Sequence, residues 1–176
     1  MNLDSIKTAL RDRKRWKRWA LEALLLVAIV AGITTWQNSG LADGPAPPLT
    51  GMRTDGSVIK LGPDRTARLV VFWATWCKVC KAEAGNIEAI AQDWPVITVA
   101  MQSGEVKEVA EFLDERGLKV PAIADDDSDI ADAWKVRAVP AHFVVDAAGN
   151  IRFRVVGYTT KWGLRARLWW ANTFPS

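Results

Sequence analysis

The sequence predicts an α/β domain, a central mixed sheet flanked by helices, with an N-terminal hairpin extension and an N-terminal transmembrane helix. Three observations predict it. Apolar runs of strand type alternate with helical periodicities in the order β-α-β-α-(α)-β-β-α. The two cysteines of the chain sit together at the first strand-to-helix junction, in the stretch F-W-A-T-W-C-K-V-C-K-A-E over 72–83. A long apolar run, W-A-L-E-A-L-L-L-V-A-I-V-A-G-I-T-T-W over 19–36, follows a cluster of cations.

Charge and length bound the classes. The 176 residues fit one globular domain plus an appendage. A hydrophobic fraction of 49% and a charged fraction of 24% are those of a folded protein, not of a disordered chain or a multi-span membrane protein. The net charge of +3 comes from the tail: residues 1–18 hold seven Lys/Arg (Lys7, Arg11, Arg13, Lys14, Arg15, Lys17, Arg18) against Asp4 and Asp12. From Gly40 onward 16 Lys/Arg face 17 Asp/Glu, so no basic face for nucleic acid is indicated and none is expected as a partner.

Residues 1–18 therefore read as a basic cytoplasmic tail and 19–37 as a transmembrane helix or uncleaved signal anchor. Eighteen helical residues reach roughly 27 Å, close to the hydrocarbon thickness. Glu22 sits one turn after Arg18, where a pair lowers its cost, and Trp16, Trp19 and Trp36 lie at the two ends as interfacial aromatics do. A cleavable signal peptide is the competing reading, with a small-residue site at Gly40-Leu41-Ala42. Either delivers the domain to the same side. The expected location is the inner membrane, single-pass, with the N-terminus cytoplasmic and the domain periplasmic. Residues 38–48 (NSGLADGPAPP) read as a Gly/Pro-rich linker, and 49–176 as the domain.

Within the domain, LTGMRTDGSVIKL carries Asp55-Gly56 and reads as a hairpin. Ala67–Trp73 (ARLVVFW) is a strand apolar on both faces, as a central strand must be. From Cys80 onward Ile87, Ile90, Ala91 and Trp94 recur at helical spacing until Pro95 stops the helix. Pro95–Met101 is a second buried strand. Over 105–116 Val106, Val109, Ala110 and Leu113 share one helical face, and Gly117 is placed to cap it. Val120–Ala124 is extended, Asp129–Trp134 a short helix, and Ala141–Asp146 with Ile151–Val156 an antiparallel hairpin with one solvated edge. Thr160–Asn172 closes the chain as a Trp-rich helix. Its Trp162, Trp169 and Trp170 are expected in the core, with a bilayer contact beside Lys161, Arg165 and Arg167 as the alternative.

The cysteine pair carries the chemistry. A thiolate attacks disulfides, and a helix N-terminus favours a thiolate through its free N–H groups and dipole. Cys77 is thus the nucleophile by position, with Lys78 as a nearby cation. Cys80, one turn further in and less exposed, can reach back to resolve a mixed disulfide. A structural disulfide over so short a loop would stabilise little. Zinc lacks further ligands, since His142 is the only His, and covalent haem needs His where Lys81 stands. Copper held by two thiolates stays open. A peroxide-reducing site is disfavoured, because Ala74 stands where a Thr or Ser would precede the reactive cysteine.

W-A-T-W-C-x-x-C at the end of an apolar strand, with Val139-Pro140 before A-H-F-V-V-D, resembles the thioredoxin fold. With the hairpin segment APPLTGMRTDGSVIKL, the chain most resembles the membrane-anchored TlpA/ResA-like thiol-disulfide oxidoreductases. The closing stretch GYTTKWGLRARLWWA is similar to the ScsD-like branch, associated with copper tolerance. The resemblance implies that Cys77 attacks, Cys80 resolves, and Pro140 is cis, aligning a partner peptide along the backbone of Val139. Val79 departs from the Pro that many relatives carry, which restores a backbone N–H and bears on the redox potential. His142, where relatives often carry Thr, reads as a strand residue with one satisfied hydrogen bond, with a catalytic role as the alternative.

Positions 80, 83, 87, 90 and 94 share one helical face, so Glu83 points with Cys80 toward the interior. Such a carboxylate can exchange a proton with Cys80, and ResA-like proteins have a matching Glu; a first-turn Glu favoured by the helix dipole is the alternative. Trp76 is placed to shield the disulfide. The expected function is a periplasmic thiol-disulfide oxidoreductase with no cofactor beyond the redox-active Cys77–Cys80 pair. It would reduce disulfides of exported proteins and draw electrons from a transmembrane thiol donor of the DsbD or CcdA type. The alternatives are a DsbA-like oxidant and a copper-binding or redox-sensing module without turnover.

Overall fold

The computed structural model describes residues 3–174, and within helix α1 (Leu3–Ser39) the side chains at 16, 19–33, 35 and from 38 on. The basic tail read over 1–18, Trp16 apart, and residues 34, 36 and 37 of the span read over 19–37 lie outside those side chains. Among the described residues no helix is long and apolar enough to cross a membrane. The apolar side chains of α1 that are described, from Trp19 to Ile33, are exposed.

The second unit begins at Gly40. Six strands form its main sheet in the order β1-β8-β7-β4-β5-β6: β1 (Gly44–Pro45), β4 (Arg68–Trp73), β5 (Val96–Met101), β6 (Ala122–Asp125), β7 (Ala141–Val145) and β8 (Asn150–Val156). β4, β5 and β6 run parallel, while β7, β8 and β1 join antiparallel. β2 (Thr50–Met52) and β3 (Val58–Lys60) form the expected hairpin through Asp55-Gly56. The helices are α2 (Lys78–Ala91), α3 (Val106–Glu115), α4 (Asp129–Ala133) and α5 (Lys161–Thr173).

Alternation along β4 divides the core. Leu69 and Val71 pack with Ile87 and Ile90 of α2 and Leu164 and Leu168 of α5. Val70 and Phe72 face the other way, with Trp134, Phe143 and Val99. Trp134 is wholly buried, its ring 4.8 Å from Phe143 and 5.6 Å from Phe72. Burial on both faces is what the unbroken apolar run of β4 requires.

The linker expected over 38–48 is corrected: from Leu41 on, this segment packs. Leu41, Ala42 and Leu49 are buried, and the Ala42 N–H donates to the Trp134 carbonyl at 3.1 Å. Gly44 and Pro45 pair with Ile151 and Asn150, covering the edge of β8 that the sequence left solvated. An unpaired edge exposes backbone groups, and Pro is tolerated there because its missing N–H faces outward. The opposite edge is covered in turn, by a bridge from Arg53 to Ile123 and a hydrogen bond from the Thr54 N–H to Ala122 O.

Candidate functional site

The site is built on the turn between β4 and α2, which the end of β5 holds in place. The Thr75 N–H donates to Ser103 Oγ at 3.0 Å, and the indole N–H of Trp76 donates to the Gln102 carbonyl at 2.9 Å. Cys77 then adopts an extended backbone and caps α2: its Sγ accepts the N–H of Cys80 at 3.1 Å. This is the helix-end geometry that the cysteine spacing requires, a sulfur among unsatisfied N–H groups.

Cys77 and Cys80 are joined as a disulfide with their Cα atoms 5.3 Å apart. The expectation that Cys77 is the more exposed of the two is corrected, since the residues are 6% and 7% exposed. Trp76 and Val79 are the exposed residues over the pair, at 57% and 45%, and Lys78 is exposed beside them. The hydrogen bond of Trp76 to Gln102 ties its indole to the residue after β5, and the cysteines pack with Ala74, Trp73 and Val139.

Val139 and Pro140 arrive from the start of β7. Their peptide bond is cis, and the Val139 carbonyl oxygen lies 3.6 Å from Cys77 Sγ. Val139 is half-buried and packs with Ala74, Cys77 and Cys80. Pro140 is buried and lines, with Cys80, Glu83, Trp73 and Phe112, a largely apolar cleft between α2 and α3. Lys81 and Arg116 each lie over the Phe112 ring, at 5.6 and 4.9 Å, and set their charges at the cleft.

Glu83 is more deeply buried than its helical position alone indicates, at 2% exposure. Its carboxylate has two donors at hand. The Thr159 N–H reaches Oε1 at 2.6 Å, and His142 Nε2 lies 3.0 Å from Oε2. The sequence placed His142 on a strand with one hydrogen bond, and that is what the structure holds; its partner and the Thr159 donor were not foreseen. The signal was available in the alternation of β7, which puts His142 and Val144 on the face that α2 covers. Trp162, Trp169 and Trp170 are not in the core, and are corrected to surface residues: Leu164, Leu168 and Ala171 fill the buried face of α5 instead.

Residues 43–154 match the AhpC/TSA family. The chain belongs to that family. Among curated relatives it is 29% identical over 107 residues to a thioredoxin-like protein of Haemophilus influenzae, covering 60% of this chain and 64% of that one. That is under two thirds of the relative's length. It is 28% identical over 161 residues to the thiol-disulfide oxidoreductase ResA of Bacillus subtilis, covering 85% of this chain and 90% of ResA. The structure of StoA from Bacillus subtilis superposes with a TM-score of 0.60 at 18% identity, over 69% of this chain and 96% of StoA. The thioredoxin-like fold and the ResA-like resemblance therefore hold.

Proposed function

We propose that the protein is a thiol-disulfide oxidoreductase that reduces disulfides of exported proteins from the periplasmic face of the inner membrane. The observation that carries this is the Cys77–Cys80 disulfide at the N-terminus of α2, with the Val139 carbonyl beside Cys77 Sγ. A partner peptide laid along Val139 would bring its own disulfide to the first sulfur, while Cys80 waits on the cleft side.

In the dithiol form, the Cys77 thiolate attacks one sulfur of the partner disulfide, and the other partner sulfur leaves as a thiolate and is protonated. Cys80 then gives up its proton and attacks Cys77 Sγ. The intramolecular disulfide forms, the second partner sulfur leaves, and two electrons have passed to the partner. Trp76, Val139 and Pro140 shape the docking surface. Lys78 and Val79, exposed at the helix entry, tune the thiolate.

In support of the tether, the apolar side chains from Trp19 to Ile33 lie exposed along α1, with Glu22 as the single charge among them. A membrane-held reductant in an oxidising compartment is recharged by a transmembrane thiol donor of the DsbD or CcdA type. The ScsD-like closing stretch carries the association with copper tolerance. Among the described residues no group of three or more His, Cys, Asp or Glu converges, so copper would rest on the two sulfurs alone.

Redox titration of the full chain against glutathione tests the direction. A potential below about −230 mV supports the reductant, whereas one near the −120 mV of a strong oxidant reverses the assignment. Carbonate extraction and protease protection in cells test the tether and its orientation.

A further inference from the structure

His142 touches neither sulfur, yet it is 1% exposed and meets Glu83, which is 2% exposed. Its other ring nitrogen, Nδ1, is buried without a hydrogen-bond partner. That asymmetry places the proton. A proton on Nδ1 would leave a buried N–H donor with no acceptor, which folded proteins avoid, whereas a bare lone pair is tolerated better. The ring therefore carries its hydrogen on Nε2 and donates to Glu83 Oε2, while the Thr159 N–H donates to Oε1 at 2.6 Å. Two donors thus converge on one carboxylate, one at each oxygen, and fix its orientation.

We propose that His142 is a positioning residue for the resolving step: with Thr159, it holds the Glu83 carboxylate oriented to take the proton of Cys80. The inference rests on the dithiol–disulfide reading above. The Cys80 thiol proton passes to the Glu83 carboxylate as the Cys80 electron pair forms the bond to Cys77 Sγ. The bond between Cys77 and the partner breaks, and the partner sulfur departs with that electron pair as a thiolate. Glu83 later returns its proton to solvent or to that thiolate, so the step needs no further reactant.

The surroundings of the pair are few in charge. In the sheet, Val71 of β4 and Val155 of β8 flank His142, and Leu164 and Leu168 of α5 pack into the same cluster as its strand neighbour Val144. From α2 come Glu83 and Cys80. Tyr158 precedes Thr159 and accepts a hydrogen bond from Asn86 at 3.1 Å. Lys81, Glu88 and Arg116 line the cleft shared with Cys80 and Glu83, and act alike in wild type and His142 variants.

The test uses the reduced full chain mixed with glutathione disulfide, quenched in acid and weighed by mass spectrometry over pH 5–9, so that the lifetime of the Cys77–glutathione mixed disulfide is read directly. His142→Asn places an amide near Nδ1, short of Glu83, and should lengthen that lifetime about tenfold near neutrality, a modest part of what a proton acceptor contributes. His142→Gln places an amide N–H close to Nε2 and should restore most of the wild-type lifetime. Equal lifetimes in both variants at every pH, with their circular dichroism unchanged, would overturn the proposal. A wild type that forms no mixed disulfide at all overturns the oxidoreductase reading itself, and this inference with it.

Discussion

The His142 imidazole and the Glu83 carboxylate meet at 3.0 Å in the interior, one from the second residue of β7 and the other from the first turns of α2. The contact ties the strand that follows Pro140 to the helix that Cys77 caps. Both halves of the site are thereby fixed by one buried polar pair.

Removing the carboxylate exposes the energetic side of that tie. Glu83→Leu leaves the Thr159 N–H and the His142 Nε2–H as buried donors without acceptors, each worth about 1–3 kcal/mol. We expect a loss of about 2–5 kcal/mol in urea unfolding. A change under about 1 kcal/mol would mean that the pair is wetter than its burial indicates.

The two cysteines should behave oppositely when replaced. Cys80→Ser is expected to accumulate mixed disulfides with partner proteins, because Cys77 can attack but nothing releases the product. Cys77→Ser should trap none. Non-reducing gels followed by peptide mass spectrometry check this, and trapping through Cys80 instead would invert the assignment. The near-equal burial of the two residues, 6% and 7%, makes this a discriminating measurement.

Much of this was legible beforehand. Apart from β1, the strands and helices of the domain follow from runs such as Ala67–Trp73, apolar on both faces, and from the helical spacing of Val106, Val109 and Leu113. Glu83 was visible because its face of α2 also carries Ile87 and Ile90. Less legible were the features set by partners distant in sequence. Gly44-Pro45 looks like a tether by composition, and only the edge of β8, about a hundred residues later, makes it a strand. His142 needed the register of β7 against β4, which no local pattern supplies.

The hairpin depends on close approach. A Cβ at Gly51 would lie 2.6 Å from Ile123 Cγ2, a methyl of a β-branched, buried side chain with little room to yield. Gly51→Ala is therefore expected to cost about 1–3 kcal/mol through overpacking. The denaturation midpoint should fall while glutathione exchange at Cys77 is retained. An unchanged midpoint would show that the hairpin can lift from β6.

Asp125 should matter to stability without touching the chemistry. Its buried carboxylate accepts the N–H of Ile130 at 3.0 Å and of Ala131 at 2.9 Å, holding the start of α4. Charge-assisted hydrogen bonds contribute about 1.5–3 kcal/mol each, so Asp125→Ala is expected to lose at least about 2 kcal/mol. Asp125→Asn keeps an acceptor for one N–H and should lose less. Equal losses for the two would argue against a capping role.

Trp134 and the tryptophans of α5 differ in a way that composition cannot show. Trp134 is wholly enclosed between Phe72 and Phe143, so Trp134→Ala should cost about 3–5 kcal/mol. Trp162 and Trp169, seven residues apart on the outer face of α5, are 68% and 57% exposed. Replacing either by Gln removes little packing, and stability should stay within about 0.5 kcal/mol. Periodicity explains the difference: Leu164, Leu168 and Ala171 already fill the inward stripe of a helix that has room for only one. A loss above about 2 kcal/mol at Trp169 would place that ring against protein in solution, and α5 would then have two buried faces.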